Sequence, residues 1–295
     1  MPTLPSGLKP VVEGYQFDEP GGVLRTEVAG GPARFGMDWD RGPQRFRVTL
    51  LCDDLQFSIW QAFYFYSIQK GALAFTMPLD SGFGVAAHSC NIMPGSYSAT
   101  RIDGVLWSVS FVVEANPKAY DLTDIAASDM AGLYNVYSIK PVVEGYAMDD
   151  TGGVLRSEVS GGASAFAMDW NRGTQRFSAS MILTAAQFQV WTVYYTRIIK
   201  KGAISFDMPL DSGFGVAPHR VNIMPGSYTA ARTGGVLWSV GFVVDAEPQI
   251  YALGPAGAAS LVALYGVYGR EADALLARIT RFATVDTVDT LVLAP

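Results

Sequence analysis

GVLWSVSFVVEA, residues 104–115, decides how the fold is read. Aromatic and β-branched residues fill it, and its apolar positions run past simple alternation. That pattern predicts a strand buried over much of its length. Its first half returns as GVLWSV at 235–240, 131 residues further on. At the same offset KPVVEGY (9–15) returns at 140–146, GGVLR (21–25) at 152–156, MDW (37–39) at 168–170 and NIMPGSY (91–97) at 222–228. TMPLDSGFGVA (76–86) is answered by DMPLDSGFGVA (207–217), and LYNVY (133–137) by LYGVY (264–268). Roughly 60% of residues 9–114 coincide with 140–245. The chain is a tandem duplication of a unit large enough to fold alone.

The repeat predicts a first β-rich domain at 1–131 and a second at 132–268, with the boundary falling in 118–139. A tail at 269–295 has no counterpart in copy one. In it, GREADALLARITRF sets Ala272, Leu275, Leu276, Ile279 and Phe282 at helical spacing, and TVDTLVLAP reads as a short strand.

Within a unit, RFRVTL (45–50) alternates as a strand does. A helix follows, with Asp53, or Thr184 in copy two, in position to cap its N-terminus. Leu55, Ile59, Ala62, Phe63 and Tyr66 form a stripe at helical spacing, repeated by Phe188, Trp191, Tyr195 and Ile198. Lys70–Gly71 and Lys201–Gly202 read as helix ends, a cation followed by a C′ glycine. A strand at 72–77, a Gly-rich loop and a Pro-Gly turn then lead to the strand at 104–115. The expected fold is α+β: tandem duplicated antiparallel β-sheet or sandwich domains, each with one packed helix. Its expected core holds Phe46, Trp60, Phe75, Trp107 and Phe111 in copy one, and Phe177, Trp191, Phe206, Trp238 and Phe242 in copy two.

Only 16% of the residues are charged against 49% apolar, so the surface is sparsely charged, as in subunits covered by neighbours. A net charge of −6 without any Lys/Arg-rich run argues against specific nucleic-acid binding. No apolar run approaches the roughly 20 residues of a membrane helix, and MPTLPSGLKPVVEGY lacks the order of a signal peptide. Cytoplasmic synthesis is expected. Cys52 and Cys90 stand opposite Leu183 and Val221 in the repeat, which marks them as small buried hydrophobes.

Catalytic chemistry finds little support. His88 and His219, each eight residues after Asp80 or Asp211, supply too few ligands for a metal and read as turn or sheet-edge residues bonded locally. Ser81 lies in no nucleophile elbow, and SGFGV falls short of a dinucleotide fingerprint. Asp18/Glu19 and Asp149/Asp150 flank Gly-rich turns and read as exposed, and Arg25 reads as a solvent or sheet-edge arginine. No enzyme activity, metal or cofactor is expected. The duplicated loops, Asp80, Ser81, Gly82, Phe83 and Gly84 with Asp211, Ser212, Gly213, Phe214 and Gly215, are candidate inter-subunit contacts, because glycine permits close approach.

Taken in order, Arg45–Phe46, Trp60, Gly71 with Phe75 and Pro78, and Trp107 with Phe111 form a pattern. Copy two repeats it in Arg176–Phe177, Trp191, Gly202 with Phe206 and Pro209, and Trp238 with Phe242. This ordered set resembles minor tail, or tail-tip, structural proteins of long-tailed bacteriophages. The resemblance covers most of both copies and departs from the family at Met77–Pro78–Leu79–Asp80, where a Trp-x-Pro-Pro segment is common. It implies a β-sandwich-like subunit of a closed ring in the virion tail, a trimer or hexamer. Tail-tube and baseplate or hub proteins are its implied neighbours. A tandem carbohydrate- or receptor-binding module and a capsid decoration protein are the alternatives.

Overall fold

The computed structural model describes residues 1–11, 15–19, 21–28, 31–102, 104–150, 153–158, 163–169, 173–213, 215–269 and 271. Copy one contributes β1 (Gln16–Asp18), β2 (Val23–Val28), β3 (Gly31–Met37), β4 (Gln44–Cys52), α1 (Asp54–Ala62), β5 (Phe75–Asp80), β6 (Val85–Ile92), β7 (Ser98–Ile102) and β8 (Leu106–Ala115). Helix α2 (Asp124–Val136) follows. Copy two repeats the order as β9 (Val142–Asp150), β10 (Val154–Ser157), β11 (Ala165–Met168), β12 (Gln175–Leu183), α3 (Ala185–Val193), β13 (Phe206–Asp211), β14 (Val216–Ile223), β15 (Thr229–Thr233) and β16 (Leu237–Ala246), followed by α4 (Ile250–Tyr268). All the strands belong to one compact body. Helix α4 belongs to a second, together with Ser212 and Gly213.

The fold is α+β, built around a large antiparallel sheet of twelve strands. In copy one β8 pairs along its length with β4, from Gln44↔Ala115 to Cys52↔Trp107. Its other edge is shared by β7 and β6, and β5 closes a hairpin with β6. Copy two repeats this with β16 between β12 on one side and β15 and β14 on the other. Strand β1 pairs with β4 and also with β15, so one sheet runs through both copies. The hairpins β2–β3 and β10–β11 are separate two-stranded sheets.

Period-2 alternation in β4 buries Phe46, Val48, Leu50 and Cys52 on one face. Helix α1 lies over that face, with Trp60 stacked on Phe111 at 5.0 Å; Trp191 stacks on Phe242 at 5.6 Å in copy two. Of the ten expected core aromatics, nine are buried, and Trp107 is half-buried. Both free cysteines are buried.

The helix starts follow from their caps. The Asp53 carboxylate accepts from Gln56 N at 2.7 Å while the Gln56 side chain accepts from Asp53 N, and Thr184 with Gln187 repeats this capping box. The buried stripe of α1 differs from expectation. Phe57, Trp60, Phe63 and Tyr64 face the sheet, while Leu55, Ile59, Ala62 and Tyr66 are exposed. The helix carries apolar residues on two faces, and a π-helical turn at Phe63–Ser67 shifts the phase beyond Ala62. Copy two keeps Phe188, Trp191 and Tyr195 inside, with Ile199 rather than Ile198 buried.

The helix ends also differ from expectation. Lys70 and Lys201 adopt left-handed φ of 58° and 59° within short 3-10 turns. Gly71 at φ 92° is required there, since a Cβ would stand 2.6 Å from that of Ile92. The strand expected at 72–77 runs from Phe75 to Asp80, and the join at 118–139 contains α2. The helix expected within 269–282 and the strand after it lie outside the described residues except for Gly269 and Glu271. Replacing Asp53 or Thr184 with Ala is expected to lower stability by about 1 kcal/mol each. Thermal denaturation should also show the two losses adding in the double variant, because the caps are separate.

Candidate functional site at the junction of the two copies

Among the described residues, a dense arrangement of aromatic and charged side chains lies where copy one meets copy two. Strand β1 sets Phe17 opposite Ala230 on one side and Phe46 on the other. The Phe17 ring packs 5.4 Å from Phe46, and 5.8 Å from both Phe188 and Trp238 of copy two. Immediately after β1, Glu19 turns inward. Its Oε2 meets Lys201 Nζ at 2.8 Å, and Gln44 Nε2 donates to Oε1 at 2.6 Å. Both charged residues are 4% exposed. Lys201 Nζ also lies 4.9 Å from the Trp39 ring centre.

Burial pushes the Glu19 carboxyl up, with Lys201 and Gln44 pulling against it. Burial disfavours the Lys201 ammonium, but Glu19 and Tyr120 together outweigh it and hold its pKa above the usual lysine value. The reading of Glu19 as exposed is therefore corrected: the turn folds it under the edge of copy two. Arg25, on an edge strand of the β2–β3 hairpin, is not a solvent group. Its Nε donates to Asp245 on β16 at 2.9 Å, and Glu27 holds its other end at 2.6 Å. The signal for both pairs is in the repeat: positions 19 and 150 both carry acids and 70 and 201 lysines, while 25 and 156 both carry arginines and 114 and 245 acids.

The duplicated loop of copy one belongs to this junction. Tyr15 Oη donates to the Asp80 carbonyl at 3.0 Å and accepts from Asp80 N at 2.9 Å. The Asp80 carboxylate accepts from Gly82 N and, at 3.1 Å, from Arg232 of copy two. Gly82, at φ 100°, approaches α3 so closely that a Cβ would stand 2.7 Å from Thr192 Oγ1. Phe83 packs against Ala127, Ala131 and Val193, and Gly84 turns the chain at φ 77°. In copy two Asp211 is exposed and accepts from Gly215 N at 3.1 Å, Ser212 Oγ accepts from Gln249 N, and Gly213 has open space around it. Phe214 lies outside the described residues.

Beside Asp80 opens a cleft of 310 Å³ walled by Lys9, Val11, Tyr15, Pro78 and Leu79, with Arg232 from copy two. A second cleft, of 260 Å³, has Lys140, Val142, Pro209, Leu210 and Asp211 in the same positions. The histidines occupy strands β6 and β14 rather than turns. His88 bonds locally, Nδ1 to the Ala86 carbonyl at 2.8 Å and Nε2 to Ser81 Oγ at 3.2 Å, and Ser81 Oγ accepts from Lys118 N at 3.1 Å. Among the described residues, no group of three or more His, Cys, Asp or Glu is placed to hold a metal ion. No described helix is long and apolar enough to cross a membrane.

Helix α2 completes the junction. Tyr134 stacks on Tyr194 at 4.1 Å, Ala127 and Ala131 pack on Val193, and Asp124 pairs with Arg197. Copy two is thus covered where copy one is bare. Val190 is 4% exposed and its counterpart Ile59 is 44% exposed; Val193 is buried and Ala62 is exposed. Tyr228, Ala230 and Trp238 are buried, while Tyr97, Ala99 and Trp107 are half-buried. The hairpin shows the reverse asymmetry: Val23 is 8% exposed, and Val154 is 64% exposed. No family model and no curated protein matches the chain.

Lys201→Met alone is expected to destabilise the protein by about 3–5 kcal/mol, by leaving Glu19 buried without its cation. Glu19→Gln together with Lys201→Met should recover much of that loss in urea unfolding, since no buried charge remains. Burial also holds His88 below the usual histidine value, against its bond to Ala86 and the carboxylates of Asp121 and Asp80, with Lys118 acting in the same sense as burial. Below the unfolded pKa near 6.5 the unfolded chain binds a proton that the folded chain refuses, so stability falls as pH falls. The decline between pH 6.5 and 5 is expected to be shallower in His88→Gln than in the parent.

Proposed function

We propose that this protein is a structural subunit that assembles with copies of itself into a closed ring, in the manner of tail-tip proteins of long-tailed bacteriophages. In this reading the two repeats, 1–131 and 132–268, are tandem building units of a duplicated β-sandwich-type fold. Three chains present six pseudo-equivalent units and six chains present twelve, and either number suits closed symmetry. Tail-tube and hub proteins are the proposed neighbours, and the virion tail is the proposed location.

The observation that carries the reading is the uncovered face of copy one. Ile59 and Ala62 lie exposed on α1, whereas their counterparts on α3, Val190 and Val193, are buried, Val193 against α2 and Phe83 of the loop. An exposed apolar face of this kind favours a macromolecular contact over a small ligand. Light scattering across a dilution series, with negative-stain images of the same sample, tests it. A trimer or hexamer of annular outline is expected. A monomer at every concentration, with saturable glycan binding, would replace this reading by the tandem binding module.

A further inference from the structure

We infer that the chains join head to tail, copy two of one chain seating on copy one of the next as copy one seats on copy two within a chain. The inference rests on the assembly reading above and names its partner, a second copy of this chain. The intrachain junction serves as the template, and both halves of a second such junction lie on the outside of the molecule.

The sheet edges are the first half of the match. Within the chain β1 joins β15 in the register Gln16↔Ala231, Phe17↔Ala230 and Asp18↔Thr229. At the 131-residue offset the same residues are Ala147, Met148 and Asp149 on β9, and Thr100, Ala99 and Ser98 on β7. Among the described residues β9 pairs only with β12 and β7 only with β8, so each keeps an edge for another strand. Met148 is exposed, and the Trp107 and Tyr97 that it would cover are half-buried.

The charges match as well. Arg25–Asp245 becomes Arg156–Glu114, and Arg232–Asp80 becomes Arg101–Asp211, so these four charges keep their signs. Arg156, Glu114 and Arg101 also keep corresponding neighbours. Glu158 binds Arg156 as Glu27 binds Arg25. Arg45 approaches Glu114 as Arg176 approaches Asp245. Arg101 lies over Trp107 at 5.6 Å as Arg232 lies over Trp238 at 5.3 Å. Arg101 of the next chain would complete the cleft at Asp211 as Arg232 completes the cleft at Asp80.

The helices extend the match. The counterpart of α2 is the latter part of α4, in which Ala258, Val262 and Tyr265 stand where Ala127, Ala131 and Tyr134 stand. Val262 and Tyr265 are exposed, as are Ile59 and Ala62 of α1, the face they would meet. The N-terminal segment lies along β5, with Leu4 N bonded to the Thr76 carbonyl at 2.8 Å, and leaves that face of α1 uncovered. Head-to-tail contacts close into rings when the rotation per step allows and otherwise run on as filaments.

Charge exchange tests the pairing. Glu114→Arg and Arg156→Glu, each alone, set like charges across the junction. Each is expected to raise the concentration at which oligomers dissociate by about a hundredfold. Both changes in one chain restore the opposite pairing, and oligomers return. An equimolar mixture of the single variants also reassembles, in even chain numbers only, because each head then accepts only the other variant's tail.

A second measurement is independent of these charges. Mixed chains carrying Met148→Cys or Ala99→Cys, joined by a short bis-maleimide, should give an interchain dimer. Oligomers that form in the parent but ignore the charge variants, or give no Met148→Cys/Ala99→Cys cross-link, overturn the head-to-tail mode and leave the assembly reading standing. A parent that remains monomeric overturns both.

Discussion

Strand β1 has three residues and two edges, and the continuity of the sheet depends on both edges being paired. Three residues of ladder would be marginal by themselves. The join is held by the side chain in the middle. Phe17 has Phe46 of copy one on one side and Phe188, Tyr228 and Trp238 of copy two on the other, so it is core to both repeats. Glu19, two residues on, adds a constraint of another kind. A buried carboxylate is tolerated only where its cation is, so the Glu19–Lys201 pair specifies the arrangement of the copies more than it stabilises them.

From this join follows the difference between two nearly identical surfaces. Trp107 and Trp238 close the same kind of strand and stack on the same partner, Phe57 or Phe188, each at 4.2 Å. Only Trp238 is fully buried, because Tyr15 and Phe17 of copy one lie against it. Trp107 instead donates its Nε1 hydrogen to Asp54 at 2.9 Å. Burial here depends on the neighbouring repeat and cannot be read from the residue's own strand.

That distinction separates what was legible in the sequence from what was not. Strands at 45–50 and 104–115 and the caps Asp53 and Thr184 are local matters of alternation and donor satisfaction, and they could be read directly. The buried face of α1 could not, since Leu55 and Ile59 are as apolar as Phe57 and Trp60, and only the sheet decides between them. Glu19 and Arg25 were misread because each meets its partner far along the chain, and a Gly-rich turn suggests solvent by default. The comparison of the two copies did hold the needed information, in acids and bases kept at paired positions.

Substitutions between the copies extend that reasoning to a pair that did change. Within the chain Asp124 on α2 meets Arg197 at the end of α3. Their counterparts are Pro255 on α4 and Tyr66 after α1. A lone change at either position would have left a charge facing an apolar neighbour. Both counterparts are uncharged, a proline and an aromatic ring, a combination suited to packing without ions. Tyr66 and Pro255 are both exposed in the single chain. In the head-to-tail junction proposed above, Pro255 of one chain would face Tyr66 of the next, a pair that needs no counter-ion where Asp124 and Arg197 supply each other's.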